Sequence, residues 1–412
     1  MAGVVSGASP GHAGAAGAVG VTIKVATIGD FQANGAENQE WVDAVRARFD
    51  AANARGGLVD AHQQRHKVEV VVCNSASDPD QTTRCAEQAV DEHVMAVVGM
   101  SAVYAERALP ILEAAGIAAI GVRVSTGADA TSSASFPLGS GLTAELMAMP
   151  QLLARQGATK IAVVISDFGT ATDDALGVLQ RGLSLASVAA GPMVRVAPGA
   201  TNFSAAAAEA TQPGVDGIVG FVAGGRSGAL VQELRASGYT GKYVTQAPWG
   251  NAAAASDPDS SVDGTLVVGQ FAPPTCDVRG WNEFRRDMLA TNPNVVSFNE
   301  GAINSWLAAR IFEHTMRAVD VTRVTPAALD ALIYDRYDDT GGLTPPLTRP
   351  ETNFELPRLV NRTVTFSQTT NGELRVLTRR FFNPFTGHYL RRASADALRW
   401  CTSSSVHDVG RT

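Results

Sequence analysis

Between Val21 and Val124 the chain alternates short apolar runs with longer stretches of helical periodicity. The run VTIKVATIGDF reads as a strand ending in a polar, glycine-containing loop from Gly29 to Gly35. In NQEWVDAVRARFDAANARGGL, which follows, Trp41, Val45, Phe49 and Ala52 recur at helical spacing before a stop at Gly56-Gly57. Next come a strand (KVEVVVCNSASDP), a helix from Asp80 to Glu92, a strand (VMAVVGMS), a helix from Val103 to Ala115 and a strand (IAAIGV). Strands separated by helices imply parallel pairing through right-handed crossovers, a doubly wound sheet. In such sheets ligands sit beyond the carboxyl ends of the strands. Here those ends are small or polar: Gly29-Asp30, Asn74-Ser75, Gly99-Met100-Ser101 and Ser125-Thr126.

The alternation begins again near Thr143 with the helical AELMAMPQLLARQG, followed by the strands KIAVVISD, VDGIVGFVAG and GKYVTQAP. A strand-like GTLVVGQF then runs into Ala272-Pro273-Pro274, and two amphipathic helices follow, WNEFRRDMLATN and NEGAINSWLAARIFEHTMRAV. Beyond Thr340 a proline-rich loop precedes a hairpin over Asn371-Gly372. The duplicated pattern predicts an α/β protein of two doubly wound Rossmann-like lobes joined by a three-strand hinge. A single large α/β enzyme domain is the alternative. The crossings are expected near Leu138–Gly141, Gln270–Pro273 and Gly342–Leu347, and such hinges permit closure around a ligand.

The ordered series resembles the periplasmic-binding-protein type I family, in its branched-chain amino acid branch of bacterial solute receptors. The segments that carry the likeness are AANARGGL, CNSASDPDQTTRCAEQAV and VVGMSAVYAERALPILEAAGIAAIG, then KIAVVISDFGTATDDALGVLQRGL in the second copy. It covers roughly Val21 to Arg392. The resemblance implies that the amphipathic helix pair returns to the first lobe. The expected partition is a leader (1–20), one lobe from 21–139 plus 272–343, a second from 140–271 plus 344–392, and a tail (393–412). It also implies an extracytoplasmic solute receptor of an ABC importer, closing on a small-molecule ligand and presenting itself to membrane permease subunits as a monomer. A cytoplasmic ligand sensor of the same fold is the second reading, and an α/β hydrolase or transferase the third.

Bulk numbers narrow the choice. The chain has 412 residues, 45% hydrophobic and 18% charged, an ordinary globular composition with room for two cores. Net charge is −7, and Arg379-Arg380 and Arg391-Arg392 are too sparse for a nucleic-acid face. No apolar run approaches the roughly 20 residues needed to span a bilayer. MAGVVSGASPGHAGAAGAVG lacks the basic and apolar regions of a secretory signal. It reads either as the tether of a mature lipoprotein, the reading we take, or as the start of a cytoplasmic chain; it is expected to be disordered. Four cysteines allow three pairings or none. Cys73 ends a strand and Cys85 lies on the next helix, so Cys73–Cys85 with Cys276–Cys401 is the pairing consistent with export. GxSxG, Walker-type, GxGxxG and HExxH signatures are all absent, which favours a binder over an enzyme. No cofactor or metal is expected: His62 and His66 have helical spacing, yet AHQQRHK reads as an exposed loop without a third ligand.

Candidate ligand groups lie on the strand-end loops. Ser101 and Ala102 precede the helix expected from Val103, where a hydroxyl and backbone N–H groups suit an anion; a plain helix cap is the alternative. The resemblance implies that this position, together with Ser125 or Thr126 on the next loop, grips a ligand carboxylate. Tyr104 is placed at the cleft. From the second lobe come Phe168 as an aromatic wall, Ala223 and Gly224 where backbone approaches the ligand, Gln246, and Trp249 as a stacking platform. Around Gln246–Asn251 there is no acidic residue for a ligand ammonium, which the resemblance would require. Asp30, Glu106 and Glu300 are the substitutes. The ligand class therefore spans amino acids, neutral amides and aliphatic or aromatic acids.

Overall fold

The structure, a computed structural model, describes residues 20–33, 36–223, 226–247, 262–292, 299–321, 324–335, 339–347, 355–371 and 373–390. Its first sheet has five parallel strands: β1 (Ile23–Gly29), β2 (Val68–Asn74), β3 (Ala96–Val98), β4 (Ala118–Ile120) and β5 (Ser135–Phe136), in the order β2-β1-β3-β4-β5. β1, β3, β4 and β5 are mostly buried, as parallel strands between helices must be, while the edge strand β2 is only partly covered. On one face, α1 (Gln39–Ala54) packs Val45 and Phe49 into a core shared with α8 (Arg279–Thr291) and α9 (Glu300–Met316). The other face carries α2 (Pro79–Asp91) and α3 (Ala105–Ala114). Cys73 at the end of β2 is disulfide-bonded to Cys85 on α2, fastening that helix to its strand.

Two glycines show how closely these layers approach. Gly57 has φ +105°, and a Cβ there would meet the His66 carbonyl oxygen at 2.3 Å. Gly121, with φ +74°, has no room for a Cβ because Ala308 of α9 lies 2.5 Å from where it would stand. His66 itself is buried at 1% exposure and bonded through Nδ1 to the Val21 carbonyl, so the expectation of an exposed polar loop fails there.

The second sheet runs β7-β6-β8-β9-β10-β11-β12, from β6 (Lys160–Ser166), β7 (Ala189–Val196), β8 (Gly217–Phe221), β9 (Lys242–Gln246), β10 (Leu266–Gly269), β11 (Thr365–Thr370) and β12 (Glu373–Val376). Its strands are parallel except that β11 and β12 are antiparallel to their neighbours. Helices α4 (Gly141–Arg155) and α5 (Thr170–Ala186) cover one face, α6 (Ser204–Ala210) and α7 (Ser227–Ala236) the other. The edge strand β7 was not among the expected elements: it contains Gly191 and Pro192 and only Val194 is fully buried, so its sequence carries little strand signal.

The chain passes between the sheets after Leu138, around Gln270, and a third time late in the sequence. The third passage differs from expectation. Leu343 and Leu347 belong to the first core, Asn361 Nδ2 still donates to the Leu138 carbonyl, and the chain enters the second core at Val364. The prolines around Gly342–Leu347 bend a segment that stays with the first sheet. A further helix, α10 (Pro326–Asp335), also packs into the first core through Leu329 and Ile333.

A buried ion network fastens α1 to α8 and α9. The Arg48 guanidinium meets Asp287 at 3.1 Å and Glu313 at 2.7 Å, and Trp306 Nε1 donates to Asp287 at 3.0 Å. All three charged side chains are under 10% exposed. Removing one partner from a buried set strands the others without compensation. Arg48→Ala is therefore expected to cost about 3–5 kcal/mol in urea unfolding; a loss below about 1 kcal/mol would mean that the network contributes no net stability.

Candidate functional site

Parallel pairing brings the carboxyl ends of β1, β2 and β3 to one edge, and Asp30 ties their loops together. It follows β1 and is 7% exposed. Its Oδ1 accepts from the Ser75 hydroxyl at 2.7 Å and the Ser77 N–H at 2.6 Å, and its Oδ2 from the Val103 N–H at 2.8 Å. Asn74 adds a second tie, accepting from the N–H groups of Phe31 and Gln32.

This clamp changes the reading of Ser101. Gly29 and Ser101 form a parallel bridge, and the Asp30 N–H donates to the Ser101 carbonyl, so the chain stays extended through Ser101. Helix α3 starts only at Ala105, with Tyr104 at the capping position and no side-chain cap. Ser101 is thus not at a helix N-terminus, and the Val103 N–H that would have faced an anion is held by Asp30. Ser101 is half-buried, and its hydroxyl has no hydrogen bond among the described residues. Ala102 is buried and Tyr104 half-buried.

The next loop is committed in a similar way. The N–H groups of Ser125 and Thr126 both donate to Asp129 Oδ2 at 2.8 Å. Burial pushes the Asp129 carboxyl up to about 6 against the pull of those donors, and its Oδ1 has no partner. Neither backbone group is free for a ligand carboxylate. What this loop offers instead is Arg123, which the sequence reading passed over. Its N–H donates to the Met100 carbonyl, which holds it at the same edge, and its guanidinium lies 5.9 Å over the Trp41 ring. An arginine directly after a buried strand was the available signal.

In the second half, Thr172 shapes the loop after β6. Its hydroxyl donates to the Ser166 carbonyl at 2.9 Å and accepts from the Phe168 N–H at 2.8 Å. The turn, completed by Gly169 at φ +68°, leaves the Phe168 ring 51% exposed. Ala223 N–H donates to the Ser166 hydroxyl, tying the loops after β6 and β8. Arg226 turns back on the Pro198 and Ala223 carbonyls. Gln246 ends β9 at 1% exposure, with an unpartnered Oε1. Gly224 and Trp249 lie outside the described residues. So does Cys401, the expected partner of Cys276, which is itself disulfide-bonded.

The sequence profile of the periplasmic binding protein family matches residues 22–353. The chain belongs to that family. Its members bind solutes without transforming them, and membership implies an extracytoplasmic location. Solved structures agree on the fold. The substrate-binding protein of an ABC transporter from Aeropyrum pernix superposes with a TM-score of 0.75 at 15% identity, covering 92% of this chain and 99% of that one. The branched-chain amino acid substrate-binding protein of Streptococcus pneumoniae, in complex with isoleucine, gives 0.70 at 15% identity over 86% and 97%. An ABC transporter solute-binding protein of R. palustris, in complex with benzoate, gives 0.69 at 14% identity over 90% and 98%. A comparison with curated protein sequences gives no match. No helix among the described residues is long and apolar enough to cross a membrane.

In this periplasmic binding protein two of the three acids named as partners for a ligand ammonium have other work. Asp30 spends both oxygens on the loops. Glu300 accepts from the N–H groups of Gln270 and Phe271. Glu106 is half-buried with one unpartnered oxygen, and it adds to the electrostatic load on Asp129. Asp30→Ala removes the acceptor of three donors and is expected to cost about 1.5–3 kcal/mol. Asp30→Asn, which keeps the shape and loses the charge, should cost less. Equal urea midpoints for wild type and Asp30→Ala would show that the loops hold without the clamp.

Proposed function

We propose that this chain is the solute receptor of an ABC importer, and that it takes a small amphipathic metabolite between its two halves. The observation that carries the reading is the exposure of apolar side chains at strand ends. Val103 in the first half is 49% exposed and Phe168 in the second 51%; among the described residues the other exposed large hydrophobics, Val21, Leu185 and Leu289, lie before β1 or toward the far ends of α5 and α8, away from the strand-end loops. Exposed apolar groups at a rim of polar loops mark a place where something binds. Ser101, Ser125 and Arg123 supply polar handles beside them, and Ala102, Tyr104, Thr126, Ala223, Gly224, Gln246 and Trp249 complete the proposed lining.

The two halves act as lobes, with hinges near Leu138–Gly141, Gln270–Pro273 and Asn361–Val364. Closure over the ligand would present a joint surface to permease subunits in the membrane, with the receptor acting as a monomer. The disulfides suit an oxidising compartment, which favours this reading over a cytoplasmic sensor. Isoleucine and benzoate, found in two similar structures, bracket the ligand class: an apolar body with a carboxylate. Asp30 gives both oxygens to backbone and hydroxyl donors and no acidic residue stands at Gln246–Asn251, which favours the acid without an ammonium.

Thermal unfolding in the presence of isoleucine, benzoate, octanoate and acetamide tests this. A ligand at a hundred times its dissociation constant adds roughly 2.7 kcal/mol of stability. Benzoate or octanoate is expected to raise the melting temperature. Phe168→Ala should weaken that binding roughly tenfold, equivalent to about 1.4 kcal/mol. Full affinity in the variant would remove Phe168 from the site, and a flat response to all four compounds would count against the proposed ligand class.

A further inference from the structure

Where the first two connections between the sheets meet α9, two glutamates are sealed from solvent. Glu145, one turn into α4, is 0% exposed, and neither carboxyl oxygen has a hydrogen-bond partner among the described residues. Glu300 opens α9 at 8% exposure. Its Oε1 accepts from the Gln270 and Phe271 N–H groups at 2.8 and 3.2 Å, while its Oε2 is buried with no hydrogen-bond partner among the described residues. Gln270 closes the joint, its side-chain oxygen accepting from the Gly141 N–H at 2.9 Å. Glu145 stands in the core of the second half and Glu300 on a helix of the first.

The charges facing this pair are few. Each glutamate faces the other, and Arg123 from the loop after β4 faces both; Gln270 from the second connection flanks them without charge. One guanidinium can balance one carboxylate. A second buried carboxylate, with only the Gln270 amide beside it, is heavily penalised, so one of the two must keep its proton. The cavity beside Glu300, lined also by Ala247, Gly269 and Thr365, is about 10 Å³ and is not lined by Glu145 or Arg123.

We propose that Glu145 and Glu300 share one proton across the joint between the two halves, and that losing it as the medium turns alkaline loosens that joint. Burial holds the Glu145 carboxyl well above the usual carboxylate range and pushes Glu300 up to about 7. The sign follows from linkage. The folded chain binds this proton more tightly than the unfolded one, so the stabilisation is complete below the ordinary 4.5 and is lost as pH rises through about 7.

The experiment is thermal unfolding of the full chain across pH 5–9, for wild type and Glu145→Gln. The amide keeps the shape and removes the titration. The expected result is a wild-type melting temperature that falls as pH rises from 5 through about 7, a flatter profile for the variant, and a variant that melts higher than wild type at pH 8.5. Asp129, raised to about 6, is present in both proteins and cancels in the difference. Parallel profiles would overturn the proposal. Should Glu145→Gln fail to fold, carboxyl-carbon NMR of wild type decides: a Glu145–Glu300 titration near or above pH 7 supports proton sharing, and two ordinary steps near 4.5 overturn it. The proposal rests on the two-lobe reading only for the meaning of the joint. A failed ligand screen would count against that reading and leave the melting profiles untouched.

Discussion

Parallel pairing forces every strand of a sheet to end on the same edge, and the rest of this molecule follows from that constraint. Ile23 pairs with Val68 and Gly29 with Asn74, so β1 and β2 finish level and deliver Asp30, Asn74 and Ser75 to one place. Beyond the last ladder bond these loops have backbone donors with no strand partner. Buried donors must be satisfied. Asp30, Asn74 and Asp129 supply acceptors for the first sheet, while Ser166 and Thr172 satisfy the loops of the second. Those groups leave over the hydroxyl of Ser101 and the exposed Val103 and Phe168, which the proposed site would use.

The chain passes between the halves by short connections, after Leu138, around Gln270 and before Val364, and these lie side by side: the Gly141 N–H donates to Gln270 and Asn361 to the Leu138 carbonyl. Gln270 and Glu300 stitch the first and second connections to α9. Arg123 belongs both to the strand-end loops and to the charge balance of the joint. A solute that engages Arg123 would therefore also act on the electrostatics between the halves, an arrangement in which binding and hinge bending share one charged group.

Much of this architecture was legible in the sequence because burial dictates pattern. The apolar runs became strands within a few residues of the expected limits, and Trp41, Val45, Phe49 and Ala52 marked the buried face of α1. The turn at Asn371, with φ +51°, matches the hairpin expected from Asn371-Gly372. The site was less legible. Ser101 looked like a helix cap because Val103 onward has helical spacing, but Asp30, more than seventy positions earlier, takes the Val103 N–H and keeps the chain extended. Ser125 and Thr126 lost their N–H groups to a local carboxylate that sequence alone could not distinguish from an exposed one. Glu145 would pass for a surface residue in the first turns of a helix; in the fold that stretch of α4 is buried against the second sheet and α5. For Ser101 and Glu145 a contact distant in sequence decides what the side chain can do, and for Ser125 and Thr126 the burial of Asp129 does; local pattern carries no record of either.

Lobe closure over a solute is the central claim, and a distance across the cleft tests it directly. Spin labels on Arg107→Cys and Asp174→Cys would occupy exposed positions on α3 and α5, one in each half. Cys73, Cys85 and Cys276 are held in disulfides and would not compete for label. With whichever compound raises the melting temperature, the account predicts that the distance distribution shortens and narrows. An unchanged distribution at saturating compound would contradict it, leaving a protein that binds its solute without closing.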